Sequence, residues 1–152
     1  LKMGKKQKLG RGDIIFFYPN KFYQRIIAYF DGKYCHCGIY LGDNQIASVG
    51  FRGLTIENLD NYKNNKFDIF EIKDISTTKK EAIIKHFLGL MPIVKYDFFG
   101  VLNFIFRWFW NIPQRFYCSE AIAYSLYCNG FVLEKLELSP LELSNQDILI
   151  KK

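Results

Sequence analysis

The side chain with the clearest chemical potential in this sequence is Cys118, in the segment 116–120 (F-Y-C-S-E). Apolar residues at three- and four-residue steps predict a compact helix from Cys118 to Cys128, so the thiol stands where that helix begins. Free backbone N–H groups and the positive end of the helix dipole favour a thiolate there. The same N–H groups can form an oxyanion hole. We therefore predict a nucleophile for acyl transfer, with a buried structural thiol as the alternative.

His36 is the candidate base for this thiol. The sequence has two histidines, and His86 falls on a predicted helix, where a surface or packing role is favoured. Side chains alternate along a strand, so His36, Gly38 and Tyr40 share one side of the predicted strand over 34–41. Gly38 leaves room for a substrate beside the imidazole. A hydrogen-bonded structural histidine is the alternative.

The other cysteines are predicted to be free thiols without a metal. Cys35 and Cys37 are too close along a strand to pair comfortably with each other. The alternation that exposes His36 on one side turns Cys35 and Cys37 to the opposite, core-facing side. No second Cys or His pair stands at zinc spacing. We expect no metal ion and no cofactor.

Five segments of the sequence resemble the NlpC-type cell-wall peptidases. Residues 12–17 (G-D-I-I-F-F) resemble their first strand, and 36–42 (H-C-G-I-Y-L-G) resemble their histidine strand. Residues 117–121 (Y-C-S-E-A) resemble the cysteine helix in the form seen in the YiiX/YaeF-like branch. Tyr96-Asp97 and 138–140 (L-S-P) are also similar to that branch. In ordinary members the cysteine precedes the histidine, whereas here the order is reversed, as in the circularly permuted branch.

The resemblance covers the chain from Gly12 to about Asn145 and carries expectations for fold and activity. It implies a papain-like α+β domain, an antiparallel sheet packed against helices. It implies a Cys118–His36 pair that cleaves an amide bond through an acyl-enzyme, in a cell-wall peptide or a similar small peptide. Each motif alone is weakly specific, and four of them in the right order along the chain are fairly specific.

The resemblance also suggests roles for further residues. The polar residue that orients the histidine in such enzymes matches Ser48 here, which has a hydroxyl but no charge; Glu57 or a water could substitute. Tyr96 matches a tyrosine that lines these active sites and could assist the oxyanion. An aromatic wall is the simpler interpretation of Tyr96, and helix capping is the simpler one of Glu120. The expected substrate-side neighbours are Gly38, Tyr40, Tyr117, Ser119 and Glu120.

The order of predicted elements agrees with an α+β domain, because strands come first and helices follow. A capping-box spacing at Thr78 and Glu81 marks one helix start, and Gly130 supplies a left-handed stop after another. We expect a basic tail over 1–11 and a single domain over 12–152. Strands are predicted over 13–18, 34–41, 45–49, 54–56, 67–72 and 148–150, and helices over 21–30, 78–90, 98–110 and 118–128, with a last short helix from 139–140.

Composition limits the partners. The sequence is 49% hydrophobic and 18% aromatic, which favours a folded globule over disorder. Its net charge of +6 favours anionic partners such as cell-wall polymers or lipid surfaces, and no nucleic acid is expected. No signal peptide is visible, and the apolar stretch 98–110 is shorter than the roughly 20 residues of a membrane span. We expect a cytoplasmic or a phage- or virion-associated protein.

Two other functions stay open from the sequence. The aromatic block over 98–110 suggests an acyl-chain or membrane contact, as in the lecithin:retinol acyltransferase relatives, which share the permuted arrangement; most such blocks are core. The uncharged third position at Ser48 suggests a binding module that kept the fold and lost catalysis.

Overall fold

The computed structural model describes residues 8–20, 25, 32–50, 53–92 and 116–152, with the backbone alone for Phe116 and Tyr117. In these residues the chain has an α+β fold with a six-stranded antiparallel sheet and three α-helices. The strands stand in the order β4-β3-β2-β1-β5-β6. Their bounds are β1 Ile14–Phe17, β2 His36–Gly42, β3 Gln45–Gly50, β4 Gly53–Asn58, β5 Phe67–Ile72 and β6 Leu149–Lys151. The helices are α1 Thr77–Gly89, α2 Phe116–Cys128 and α3 Pro140–Ser144, and a 3₁₀ helix spans Leu59–Tyr62.

The sheet is buried on both faces at its centre, where all of β1 is inaccessible to solvent. Ile14 and Phe16 join the main core with the helices, whereas Ile15 and Phe17 join a second cluster on the other face. This division follows from the period of two along a strand. An apolar run with no polar alternation, as at 14–17, is what a strand covered on both faces requires.

The helix α2 packs across β2 and β3 and brings its first turn to the sheet. Its buried side chains Ile122, Ala123 and Leu126 belong to the main core. Ser119, fully buried, donates a hydrogen bond to the carbonyl oxygen of Leu138 just before α3. The beginning of α2 is therefore held from the sheet side and from the α3 side.

Most of the predicted elements in the described residues are confirmed with small shifts of their bounds. The strand over 67–72 is as predicted, and α2 begins two residues before Cys118. Gly130 has φ of +84°, the left-handed conformation expected of a glycine after a helix. The predicted helices over 21–30 and 98–110, Tyr96 and the first seven residues of the basic tail lie outside the described residues.

The predicted capping box at Thr78 and Glu81 is wrong. The N-cap of α1 is Ser76, whose backbone is extended and whose Oγ accepts a hydrogen bond from the Lys79 N–H at 3.2 Å. Glu81 instead pairs with the guanidinium of Arg11, with N–O distances of 2.6 and 2.9 Å. The spacing misled because serine and threonine both occur near this helix start, and only the residue with non-helical backbone angles can cap it.

Candidate functional site

Cys118 lies in the first turn of α2 and faces the sheet. Only 4% of the residue is exposed, and it belongs to the main core cluster together with Cys37. Its thiol is free, as are the other three cysteines, which confirms the prediction that none of them forms a disulfide.

The imidazole of His36 reaches this sulfur. His36 is the first residue of β2, and its side chain lies close enough to that of Cys118 for each to shift the pKa of the other. The two residues predicted as nucleophile and base are thus brought together, although β3, β4, β5 and α1 separate them along the chain.

Cys37 is a second partner of the same sulfur. Its thiol and its backbone N–H lie close enough to Cys118 to favour the thiolate, and Cys118 in turn raises the pKa of the Cys37 thiol. Cys37 is fully buried on the core side of β2, whereas His36 leaves the strand toward the other face. Side chains of adjacent strand residues point to opposite faces of the sheet. His36 and Cys37 can both approach the Cys118 sulfur because that sulfur lies at the end of β2.

These contacts shift the ionisation of the pair in opposite directions. The hydrogen bond from Cys37 and the positive charge of His36 hold the pKa of Cys118 well below its usual value, against the effect of burial. Burial disfavours a charged imidazole, but the hydrogen bond and charge of Cys118, with the charge of Glu57, raise the pKa of His36. Opposite shifts of this kind favour a thiolate–imidazolium pair. Such a pair can attack an acyl carbon and then protonate a leaving group.

Two further titratable groups adjoin the sulfur. Burial and the charge of Cys118 raise the pKa of Cys35 to about 11, so this thiol is neutral at neutral pH. Half-buried Glu120 has a pKa raised to about 7 by burial and by the charges of Glu137 and Cys118. Glu120 therefore lies close enough to sense the thiolate, and its predicted substrate contact stays a prediction.

Aromatic rings surround the imidazole on its other side. The His36 ring lies 5.9 Å from that of Phe17 and 6.4 Å from that of Tyr62, with interplanar angles of 26° and 16°. Phe17 stands directly opposite His36 in the β1–β2 register, and Tyr62 ends the 3₁₀ helix. The imidazole is therefore held against a nearly parallel aromatic surface.

Ser48, the predicted third position, is buried on the same face of the sheet as Thr55, its register partner on β4. Its hydroxyl lies near that of Tyr62 and acts to lower the pKa of Tyr62, against the larger effects of burial and of Glu57. Its role as the group that orients His36 stays a prediction.

The predicted substrate-side neighbours are spread more widely than the sequence suggests. Tyr40 lies four residues from His36 along β2, about 13 Å away, and its hydroxyl accepts a hydrogen bond from the Asn44 N–H at 3.2 Å. The space beside Gly38 is filled rather than open, since a Cβ there would stand 2.9 Å from the side chain of Ile46. Ser119 is fully buried. The side chain of Tyr117, and all of Tyr96, lie outside the described residues.

Sequence reasoning misses two residues of the site. Strand alternation correctly predicts that the Cys37 side chain faces the core. It does not predict that Cys37 also lies near Cys118, because this depends on β2 beginning at His36. Tyr62 carries no signal, because no pattern predicts a 3₁₀ helix there. Within the described residues, no group of three His, Cys, Asp or Glu side chains is arranged to hold a metal ion, nor is any helix there long and apolar enough to cross a membrane.

Comparison with models of known protein families gives no match, and a search of curated proteins gives none either.

Proposed function

We propose that this protein is a thiol-dependent hydrolase of amide bonds, with Cys118 as nucleophile and His36 as base. The observation that supports the proposal is the proximity of the His36 imidazole to the Cys118 thiol at the first turn of α2, close enough for each group to shift the pKa of the other. A thiol with a lowered pKa beside an imidazole with a raised pKa is the pairing that cysteine hydrolases require.

The chemistry follows from the groups present. The Cys118 thiolate attacks the carbonyl carbon, and the negative charge that develops on oxygen is stabilised by N–H groups of the first turn of α2. His36 donates its proton to the leaving amine as the C–N bond breaks. Neutral His36 then takes a proton from water, whose oxygen attacks the thioester. The C–S bond breaks, the acid is released, and the thiolate–imidazolium pair is restored.

We further propose a papain-like arrangement of the circularly permuted, NlpC-type kind. The support is the order of elements: a strand after Gly12-Asp13, then a strand that begins with His36, then a helix whose first turn carries Cys118. The substrate proposed with it is a cell-wall peptide or a similar small peptide. The net charge of +6 favours an anionic polymer as the surface that presents such a peptide.

The test is hydrolysis of peptidoglycan fragments and of small amide substrates by wild type, Cys118→Ala and Cys128→Ala. Cys128 ends the same helix and is exposed, so its replacement removes a thiol without touching the site. We expect Cys118→Ala to lose at least about 10³-fold in rate, and Cys128→Ala to match wild type. Equal rates for all three proteins would rule the proposal out.

Vesicles with anionic phospholipid serve as a second substrate in the same assay. Acyl transfer from lipid without peptide cleavage would favour the lipid acyltransferase function over amide hydrolysis. The aromatic residues that motivated this alternative, over 98–110, lie outside the described residues.

A further inference from the structure

A line of hydrogen-bonded side chains beyond His36 ends in a carboxylate. Tyr62 Oη donates to Glu57 Oε2 at 3.0 Å. Thr55 Oγ1 donates to Glu57 Oε1 at 3.2 Å. Both donors are neutral hydroxyl groups. They fix the position of the carboxylate and leave its negative charge to act on a neighbouring cation.

Tyr62 connects this line to the imidazole. Its ring stacks on Phe17, with centroids 4.5 Å apart, and lies within 16° of parallel to His36. The 3₁₀ helix that carries Tyr62 is itself fixed: the Asn58 side chain accepts from the Asp60 N–H at 2.8 Å, and the Leu59 N–H donates to Asn44 O at 2.7 Å. Tyr62 therefore presents a fixed aromatic ring, nearly parallel to the His36 ring and 6.4 Å from it between centroids.

The charges that act on His36 come from two sides. Cys118 approaches from α2 and Glu57 from β4, and both favour the protonated imidazole. Tyr62 is neutral at neutral pH, since burial and the nearby Glu57 raise its pKa to about 12. Cys37, on the strand of His36, has a pKa raised well above its usual value by burial and by Cys118, and is neutral too. Glu57 is thus the carboxylate whose charge His36 senses besides that of the thiolate.

We propose that Glu57 and Tyr62 are positioning residues for His36: the Tyr62 ring sets the imidazole plane, and the Glu57 carboxylate stabilises the imidazolium from one residue further away. This division replaces a single polar residue on the strand after the histidine, where Ser48 offers no charge. The inference rests on the proposed Cys118–His36 chemistry, and its test has a readout that needs no substrate.

The decisive measurement is an NMR titration of the two histidine rings in a Cys118→Ala background, which removes the thiolate. We expect Glu57→Gln to lower the midpoint of the His36 titration and Glu57→Asp, which keeps the charge, to restore most of it. His86, which contacts Ser125 at 3.2 Å, is the internal reference. Glu134→Gln, at an exposed position, is the control for loss of one negative charge.

A His36 midpoint that is the same with and without the Glu57→Gln substitution would overturn the assignment of the charge. Should Glu57→Gln fail to fold, Glu57→Ala gives the same reading. Tyr62→Phe keeps the ring and Tyr62→Leu removes it. We expect the leucine variant alone to broaden or displace the His36 ring signals at constant pH, and equal spectra for the two variants would overturn the role of the ring.

Kinetics separate this inference from the proposed function. If the wild type cleaves amides, we expect Glu57→Gln to lower kcat about tenfold, the equivalent of one pKa unit, with KM unchanged. The alkaline limb of its pH profile should move to lower pH. If the wild type cleaves nothing, the proposed function fails, while the His36 titration still decides whether Glu57 and Tyr62 act on the imidazole.

Discussion

Replacing Cys37 by alanine tests how the surroundings of Cys118, the proposed nucleophile, lower its pKa. The Cys37 thiol is the donor that contributes most to the lowered pKa of Cys118. Cys37→Ala removes this donor but keeps the backbone N–H of residue 37 and the His36 ring, which also favour the thiolate. The thiolate should therefore be weakened rather than lost, and the pKa of Cys118 should rise toward that of an ordinary thiol.

The size of the effect follows from the charge on the acceptor. A hydrogen bond to a charged group contributes about 1.5–3 kcal/mol, and about 1.4 kcal/mol corresponds to tenfold in an ionisation equilibrium. Both side chains are buried, with Cys37 fully inaccessible and Cys118 4% exposed, so water does not replace the missing donor freely. On the acidic limb of the titration we expect the thiolate fraction of Cys118 to fall by about 10- to 100-fold.

The assay is the rate of carbamidomethylation of Cys118 against pH, followed by peptide mass spectrometry. Iodoacetamide suits a sulfur with so little exposure because the reagent is small. Cys37→Ser retains a hydrogen-bond donor and should lie close to wild type, and Cys128→Ala removes an exposed thiol as the matched control. Thermal denaturation confirms that each variant is folded. A Cys37→Ala profile that superimposes on that of wild type would refute the reasoning.

Two further changes test the surroundings of the pair. Glu120 has a folded-state pKa of about 7, above its ordinary value. Its contribution to stability is therefore complete below about pH 4.5 and is lost as pH rises through about 7. Glu120→Gln should flatten the dependence of the unfolding free energy on pH in this window, and an unchanged slope would contradict the assignment. Gly38→Ala would place a Cβ 2.8 Å from the carbonyl oxygen of Ala47 and 2.9 Å from the Ile46 side chain. We expect chemical denaturation to show a loss of about 1–3 kcal/mol in unfolding free energy. Full stability would contradict this and show that β2 and β3 can separate at this point.

The parts of the fold that the sequence predicts well are those encoded locally. Alternation of apolar and polar residues over 67–72 identifies β5 to the residue, and the serine–proline pair at 139–140 marks the start of α3. A full capping box forms there, with Ser139 N–H donating to Glu142 Oε2 at 2.8 Å and Glu142 N–H donating to Ser139 Oγ at 3.2 Å. Such signals need no knowledge of distant contacts.

The site is predictable from the sequence only in its two chemical residues. Cys118 and His36 stand out by type and by their place at the start of a helix and of a strand. Tyr62 does not, and Glu57 enters only as a possible substitute for Ser48, since their relation to His36 depends on the pairing of β3 with β4 and on the turn that follows β4. No local sequence pattern predicts that Tyr62 of the 3₁₀ helix stacks on Phe17, because this contact forms only in the tertiary fold.

The two sides of the Cys118 environment are positioned by different parts of the molecule. His36 and Cys37 are consecutive in β2, which pairs with β1 on one side and β3 on the other, so imidazole and thiol donor move as one unit with the sheet. The sulfur itself moves with α2, whose place depends on the burial of Ile122 and Leu126. Because a polar contact weakens within a few tenths of an ångström, a cavity under α2 should disturb the proposed ion pair without touching either member of it. The packing of one helix on one strand therefore determines how far the pKa of Cys118 is lowered.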